Sequence, residues 1–256
     1  MCQTSCNFVF PKLDPRRNQP MERSGINLKL KTTSMKTTPL QKAYLLISLL
    51  FLTLTAVGQT AITGYLKPLL IPFLFFAVIK SEEFPTKKWL LLALLFSWMG
   101  DIILIFAEKS ELFFIFGLLA FLFAHLLFIV LFINQEAVVK HKQQNYYWLG
   151  FGLVLLYLFG MLSILLPKLG SLQIPVGIYA MTISLMLIET IKGYCNWQQK
   201  SKVLILIGAI FFVLSDSVLA FNKFYYAFSG ASFLIMSTYL LAQFLIVKGV
   251  LDINKK

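Results

Sequence analysis

Two aspartates stand alone in apolar surroundings: Asp101 inside residues 94–106, a run that reads LLFSWMGDIILIF, and Asp216 inside residues 211–221, FFVLSDSVLAF. An ionised side chain in hydrocarbon is costly, so such a residue marks an ion path, a proton relay or a catalytic centre. Two carboxyls that share a site, one holding its proton while the other stays ionised, supply an acid and a base together. Lys67 and His125 are further ionisable groups within long apolar runs. An ion pair with Lys67, or the capping of a broken helix, would satisfy either aspartate without any chemistry.

Other chemistries find less support. His125 has one companion histidine, His141 in a polar loop, and no metal-ligand spacing accompanies either, so no metal or other cofactor is expected. Ser97, Ser215 and Ser217 flank the aspartates, but without a Gly-x-Ser-x-Gly elbow they read as helix hydrogen bonders. Asn222 borders its run, where it would bind a polar head group or cap the helix. Glycine-rich phosphate loops are absent. The apolar surroundings suit a site fed from the bilayer.

The elements that carry these residues belong to a polytopic membrane protein. The 256 residues are 58% hydrophobic and 13% charged, with a mean hydropathy of +0.78, outside the range of soluble domains. Eight runs approach the roughly 20 residues that cross a bilayer: 44–63, 65–79, 89–106, 112–133, 147–166, 174–191, 203–221 and 227–250. The second is short and holds Pro68 and Pro72. A kinked or re-entrant piece is expected there, with the Pro68 carbonyl deprived of its helical donor.

Basic residues test this count. Assigned to alternate sides, 19 lysines and arginines fall on the side of both termini and three (Lys109, Lys168, Lys223) opposite, with Lys67 just inside the second run. That asymmetry predicts an all-α bundle of eight transmembrane helices with cytoplasmic N- and C-termini. It also accounts for the net charge of +12 without invoking nucleic acid. Trp89, Trp148, Tyr194 and Trp197 fall at the same interface. Residues 1–43 read as a disordered basic tail, 44–250 as the membrane domain and 251–256 as a short cytoplasmic tail. Cys2, Cys6 and Cys195 read as free thiols. The third and fourth runs (Gly100-Asp101, Gly117, Ala124-His125) parallel the seventh and eighth (Ser215-Asp216, Gly230, Ala242-Gln243), as in a four-helix duplication.

Depth can then be counted at about 1.5 Å per residue. Asp101 and Asp216 each precede the outer end of their run by five residues and share a level roughly 7.5 Å down. Lys67 lies roughly 3 Å down and His125 about 12 Å deeper than the aspartates. The expectation is that the two carboxyls face one cavity, within about one helix diameter of 10 Å, with Lys67 at its edge.

At these residues the sequence resembles the YhhN family, membrane proteins that include animal lysoplasmalogenases. The resemblance rests on Lys67-Pro68, on 96–101 (FSWMGD) with Phe116-Gly117 and Ala124-His125, and on Ser215-Asp216-Ser217 with Tyr239 and Gln243. It implies an eight-helix hydrolase that cleaves the vinyl ether of lysoplasmalogens to a fatty aldehyde and glycerophosphoethanolamine or glycerophosphocholine. The implied substrate is thus a lysophospholipid, with Asp101 and Asp216 as catalytic pair. Beside them Lys67 would attract the phosphate or tune the pair, and Asn222 and His125 are candidate substrate-binding residues, although His125 alone reads as a satisfied core histidine. Localisation would be the inner membrane in a bacterium or the endoplasmic reticulum in a eukaryote. Acid-catalysed hydrolysis of a vinyl ether suits two carboxyls, by analogy with glycoside hydrolysis. A proton- or cation-coupled transporter would use the same acids with Lys67 as counter-ion, and a lipid-binding scaffold would need neither.

Met35 is followed shortly by the first run and Met21 offers another start, so residues 1–34 are expected to be dispensable. A chain beginning at Met35 should reach the membrane at the full-length level, as measured by immunoblotting of membrane fractions.

Overall fold

The structure, a computed structural model, describes residues 37–135 and 144–255. The tail expected over 1–43 lies outside them up to residue 36, as does His141. Among the described residues, eight α-helices follow one another: α1 (Pro39–Ala56), α2 (Thr60–Ile79), α3 (Lys87–Leu104), α4 (Glu111–Asn134), α5 (Gln144–Leu165), α6 (Gln173–Asn196), α7 (Lys202–Phe224) and α8 (Ala231–Ile253). Two short 3-10 turns, Leu166–Lys168 and Gly170–Leu172, join α5 to α6.

Seven of the eight are long and apolar enough to cross a membrane. The exception is α3, whose 18 residues contain Lys87, Lys88 and Asp101. Leu46, Leu156 and Phe159 are among many large apolar side chains turned outward, as in a bundle that meets lipid rather than water.

Local signals set the helix ends, and several differ from the apolar runs. α1 starts at Pro39 rather than Tyr44: Thr38 and Gln41 form a reciprocal capping box, and Pro39 occupies the first turn. α2 starts at Thr60 and continues through both prolines as one 20-residue helix, instead of the short re-entrant piece expected over 65–79. α4 starts at Glu111, where the Ser110 hydroxyl accepts the Leu112 N–H. α7 runs on to Phe224, past the end expected at Phe221. Gly230, with φ +87°, supplies the left-handed residue that turns the chain into α8.

The most extensive helix contacts are α7 with α8 and α3 with α4. Both pairs close on small residues. A Cβ on Gly100 would lie 2.7 Å from the Phe121 ring, and one on Gly117 2.5 Å from Leu104. In the other pair, a Cβ on Gly208 would lie 3.0 Å from the Ala242 carbonyl, and one on Gly249 2.5 Å from Ile205. Helices in lipid gain little from burying apolar surface, so close backbone approach of this kind is what lets them adhere. Gly117 and Gly249 thus both admit a side chain of the neighbouring helix, whereas Gly230 is the N-cap of α8.

α8 is the most enclosed helix, and α5 stands at the periphery. At the end of the bundle where α8 finishes, Thr86 donates to Gln135 (3.0 Å) and Gln135 to Asn254 (3.1 Å), tying the start of α3 to the ends of α4 and α8. Trp197 is buried against Gly193, whose missing Cβ leaves room for the indole.

Gly208→Ala should push α7 from α8 and cost about 1–3 kcal/mol, because the added methyl meets backbone that cannot rotate away. Gly152→Ala, with nothing within 4 Å of its Cβ, should leave stability unchanged. Thermal unfolding in detergent compares the two.

Candidate functional site

Asp101 projects from α3 into the bundle and is 2% exposed. Tyr239 of α8 donates its hydroxyl to Oδ2 at 2.7 Å, and Lys67 Nζ of α2 lies 3.6 Å from Oδ1. One turn along α8, the Gln243 amide donates to the Tyr239 oxygen at 3.4 Å.

The prolines of α2 place Lys67 there. Pro72 has no N–H to give the Pro68 carbonyl, and a carbonyl left bare in an apolar bundle is expensive. The Trp98 indole Nε1–H of α3 donates to it at 2.7 Å. Pro68 follows Lys67 directly, and Trp98 lies three residues before Asp101, so this bond clamps α2 to α3 at the ion pair.

Asp216 of α7 is met by other helices. The Tyr179 hydroxyl of α6 donates to Oδ2 at 2.5 Å, and the His125 Nε2 of α4 approaches the same oxygen at 3.4 Å without completing a hydrogen bond. His125 is wholly buried, while 11% of the Asp216 side chain is exposed. Beside it, Tyr157 of α5 hydrogen-bonds Ser217, whose hydroxyl bonds to the Val213 carbonyl. Asp216 lines a cavity of about 30 Å³ with Leu118, Val176 and Tyr179. A larger apolar cavity of about 240 Å³ between α4 and α6 shares those last three residues.

Phe212 connects the two centres. Its ring stands edge-on to His125 (centroids 4.7 Å apart) and to Tyr239 (5.5 Å), so an unbroken series of side chains runs from Asp101 through Tyr239, Phe212 and His125 to Asp216. The aspartates are thus not bonded to each other, and each has its own tyrosine and its own basic neighbour. The cavity lies at Asp216, and Lys67 belongs to Asp101 rather than to the cavity's edge.

His125 is also not far below the aspartates as the residue count implied, since it touches Asp216. Counting along axes assumed level helix ends. Asp216 is in fact eight residues from the end of α7, Asp101 three from the end of α3, and Lys67 seven from the start of α2. Asn222 Oδ1 accepts the Phe228 N–H at 3.2 Å and so holds the turn after α7. Ser215 donates to the Ile235 carbonyl at 3.0 Å, joining α7 to α8. Among the described residues, no three of His, Cys, Asp and Glu gather as metal ligands.

A model of the YhhN family matches residues 62–250. The chain belongs to the YhhN family. Human lysoplasmalogenase TMEM86A is 29% identical over 174 residues, covering 66% of this chain and 67% of the human protein. Its bovine counterpart is 28% identical over 174 residues with the same coverage. No solved structure matches.

The YhhN match encloses both centres, from Lys67 through Trp98, Asp101, His125, Tyr179 and Asp216 to Tyr239. Tyr157, Tyr179, Phe212 and the indole of Trp98 were not singled out by sequence reasoning. Tyr179, six residues after the start of α6, looks like an interfacial aromatic; the available signal is that a tyrosine inside a span requires a partner for its hydroxyl.

In this YhhN bundle, Trp98→Phe should strip the Pro68 carbonyl of its donor and cost about 1–3 kcal/mol. Adding Pro72→Ala restores an N–H at residue 72, so the double variant should recover part of the loss. Thermal unfolding of the three variants checks this, and a double variant less stable than Trp98→Phe would refute the clamp.

Proposed function

We propose that this YhhN protein hydrolyses the vinyl ether of lysoplasmalogens inside the membrane, with Asp101 and Asp216 as its two catalytic carboxyls. The observation that carries the reading is the amphipathic site itself: the Asp216 carboxyl, flanked by Tyr179 and His125, opens onto an apolar cavity. The names of the human and bovine relatives support it. The reaction adds water across an R–CH=CH–O–R′ unit and yields R–CH2–CHO and R′OH.

Tyr179 and His125 both address Oδ2 of Asp216, which leaves Oδ1 to carry the acid proton. That proton passes to the alkene carbon β to the ether oxygen, and the positive charge spreads over the adjoining carbon and oxygen. The carboxylate left behind lies beside the cation and takes a proton from the water that attacks the oxygen-bearing carbon, which regenerates the acid. The resulting hemiacetal collapses: its C–O bond breaks, the hydroxyl proton passes to the departing glycerol oxygen, and the aldehyde forms.

Asp101, held as a carboxylate by Lys67 and Tyr239, supplies negative potential that favours the cation. Lys67 tunes this carboxylate. The same proposal includes α3 as an eighth span and both termini on the cytoplasmic side. Its support is the 19-to-3 distribution of basic residues and the packing of α3 against α2 and α4.

Asp216→Asn and Asp101→Asn should each cut aldehyde release from lysoplasmalogen by about a hundredfold or more, with protein levels in the membrane intact. The assay is run on purified protein in detergent, where a transporter has no compartment to fill. Full activity in either variant removes that residue from the mechanism, and inert wild-type protein removes the reading.

A further inference from the structure

The cavity of about 240 Å³ between α4 and α6 has an almost wholly apolar lining, in which Leu118 and Leu122 face Pro175 and Ile178, and Tyr179 carries the one side-chain polar group. It adjoins the smaller cavity at Asp216, with which it shares the walls formed by Phe114, Leu118, Val176 and Tyr179. On the other side it opens laterally between the helices, where Leu119 is 41% and Ile178 47% exposed. In a membrane-spanning bundle that opening faces hydrocarbon.

Its dimensions and chemistry narrow the occupant. A helix, about 10 Å across with its side chains, does not fit. Water needs two to four polar partners, and this lining offers only the Tyr179 hydroxyl, already committed to Asp216. A single hydrocarbon chain matches a narrow apolar cleft that is open to the bilayer at one side and shares Tyr179 with the cavity at the Asp216 carboxyl. Behind Tyr179 the fully buried His125 holds Nε2 close to Asp216 with no completed hydrogen bond, so the polar groups are gathered on the Asp216 side of the cleft.

We infer that this cleft is the chain-binding site: the alkenyl chain of a single-chain lipid lies between α4 and α6 with its ether end at Asp216, and Leu122 and Ile178 set the chain length accepted. This rests on the function proposed above for its chemistry, but not for its geometry. A second apolar cavity of about 300 Å³, lined by Phe75, Leu95 and Trp98 between α2 and α3, serves as the internal comparison, since it shares no lining residue with the cavity at Asp216.

Two measurements on the full-length protein in nanodiscs test the inference. In the first, a non-hydrolysable 1-O-alkyl lysophospholipid with a diazirine in its chain is photolysed, and the labelled peptides are mapped by mass spectrometry. The chain site predicts labelling within residues 114–122 and 174–179 that excess unlabelled lysolipid suppresses. Labelling spread over all helices, or confined to the α2–α3 cavity, overturns it.

In the second, Leu122→Trp and Ile178→Trp narrow the cleft, and Leu95→Phe alters the comparison cavity. Each tryptophan should lower kcat/KM for a hexadecenyl substrate by about tenfold relative to an octenyl one, while Leu95→Phe leaves the ratio unchanged. An unaltered ratio in both tryptophan variants, or equal loss on both substrates, overturns the assignment. The two readings fail separately. Suppressible labelling of the cleft in a protein that releases no aldehyde retains the chain site and removes the hydrolase, whereas hydrolysis with labelling elsewhere does the reverse.

Discussion

Hydrocarbon offers no hydrogen bonds, so each polar group within these helices must be satisfied by another helix, and that demand organises the bundle. Asp101 on α3 is met by Tyr239 of α8 and Lys67 of α2; Asp216 on α7 is met by Tyr179 of α6 and His125 of α4. Two costly carboxyls thereby specify which helices must be neighbours, and at what rotation. Apolar contacts alone would specify neither, because lipid tails pack on leucine as well as other leucines do.

The same demand explains how α2 tolerates two prolines. Pro72 frees the Pro68 carbonyl, and the Trp98 indole takes it up. A defect in one helix thus becomes a bond to the next, at the position where Lys67 and Asp101 must meet. Glycines act alongside: Gly100 and Gly117 in one pair, Gly208 and Gly249 in the other, let backbones approach closely enough for the polar side chains to reach. The two pairs use one device in different registers. Each aspartate is moreover met by the fourth helix of the opposite half, so the halves are interlocked through their charged residues rather than merely packed side by side.

The functional asymmetry lies in exposure. Asp101 is sealed between a cation and a phenol, whereas Asp216 opens onto an apolar cleft. Phe212 joins the two through ring contacts with Tyr239 and His125, and it carries no group that can pass a proton. The carboxyls therefore influence each other through the field and through side-chain position. In the proposed reaction this difference suits one acid that touches carbon and a second charge that stabilises what forms.

Much of this was legible in the sequence. Hydropathy found the helices because a span has to be long and apolar, and the isolated aspartates stood out because charge in such a run needs a reason. Pro72 announced the orphaned carbonyl of Pro68, since a missing N–H is a local covalent fact. The lateral arrangement was not legible. Periodicity does not say which helix Asp216 faces, and depth counted along axes failed for His125 because the count assumed level helix ends and α7 extends beyond its apolar run. Lys67, Asp101, Asp216 and His125 could be named one at a time. Only the tertiary structure divided them into two centres, recruited Tyr179 and Trp98, and opened a cavity at Asp216, because such choices depend on contacts between helices distant in the chain.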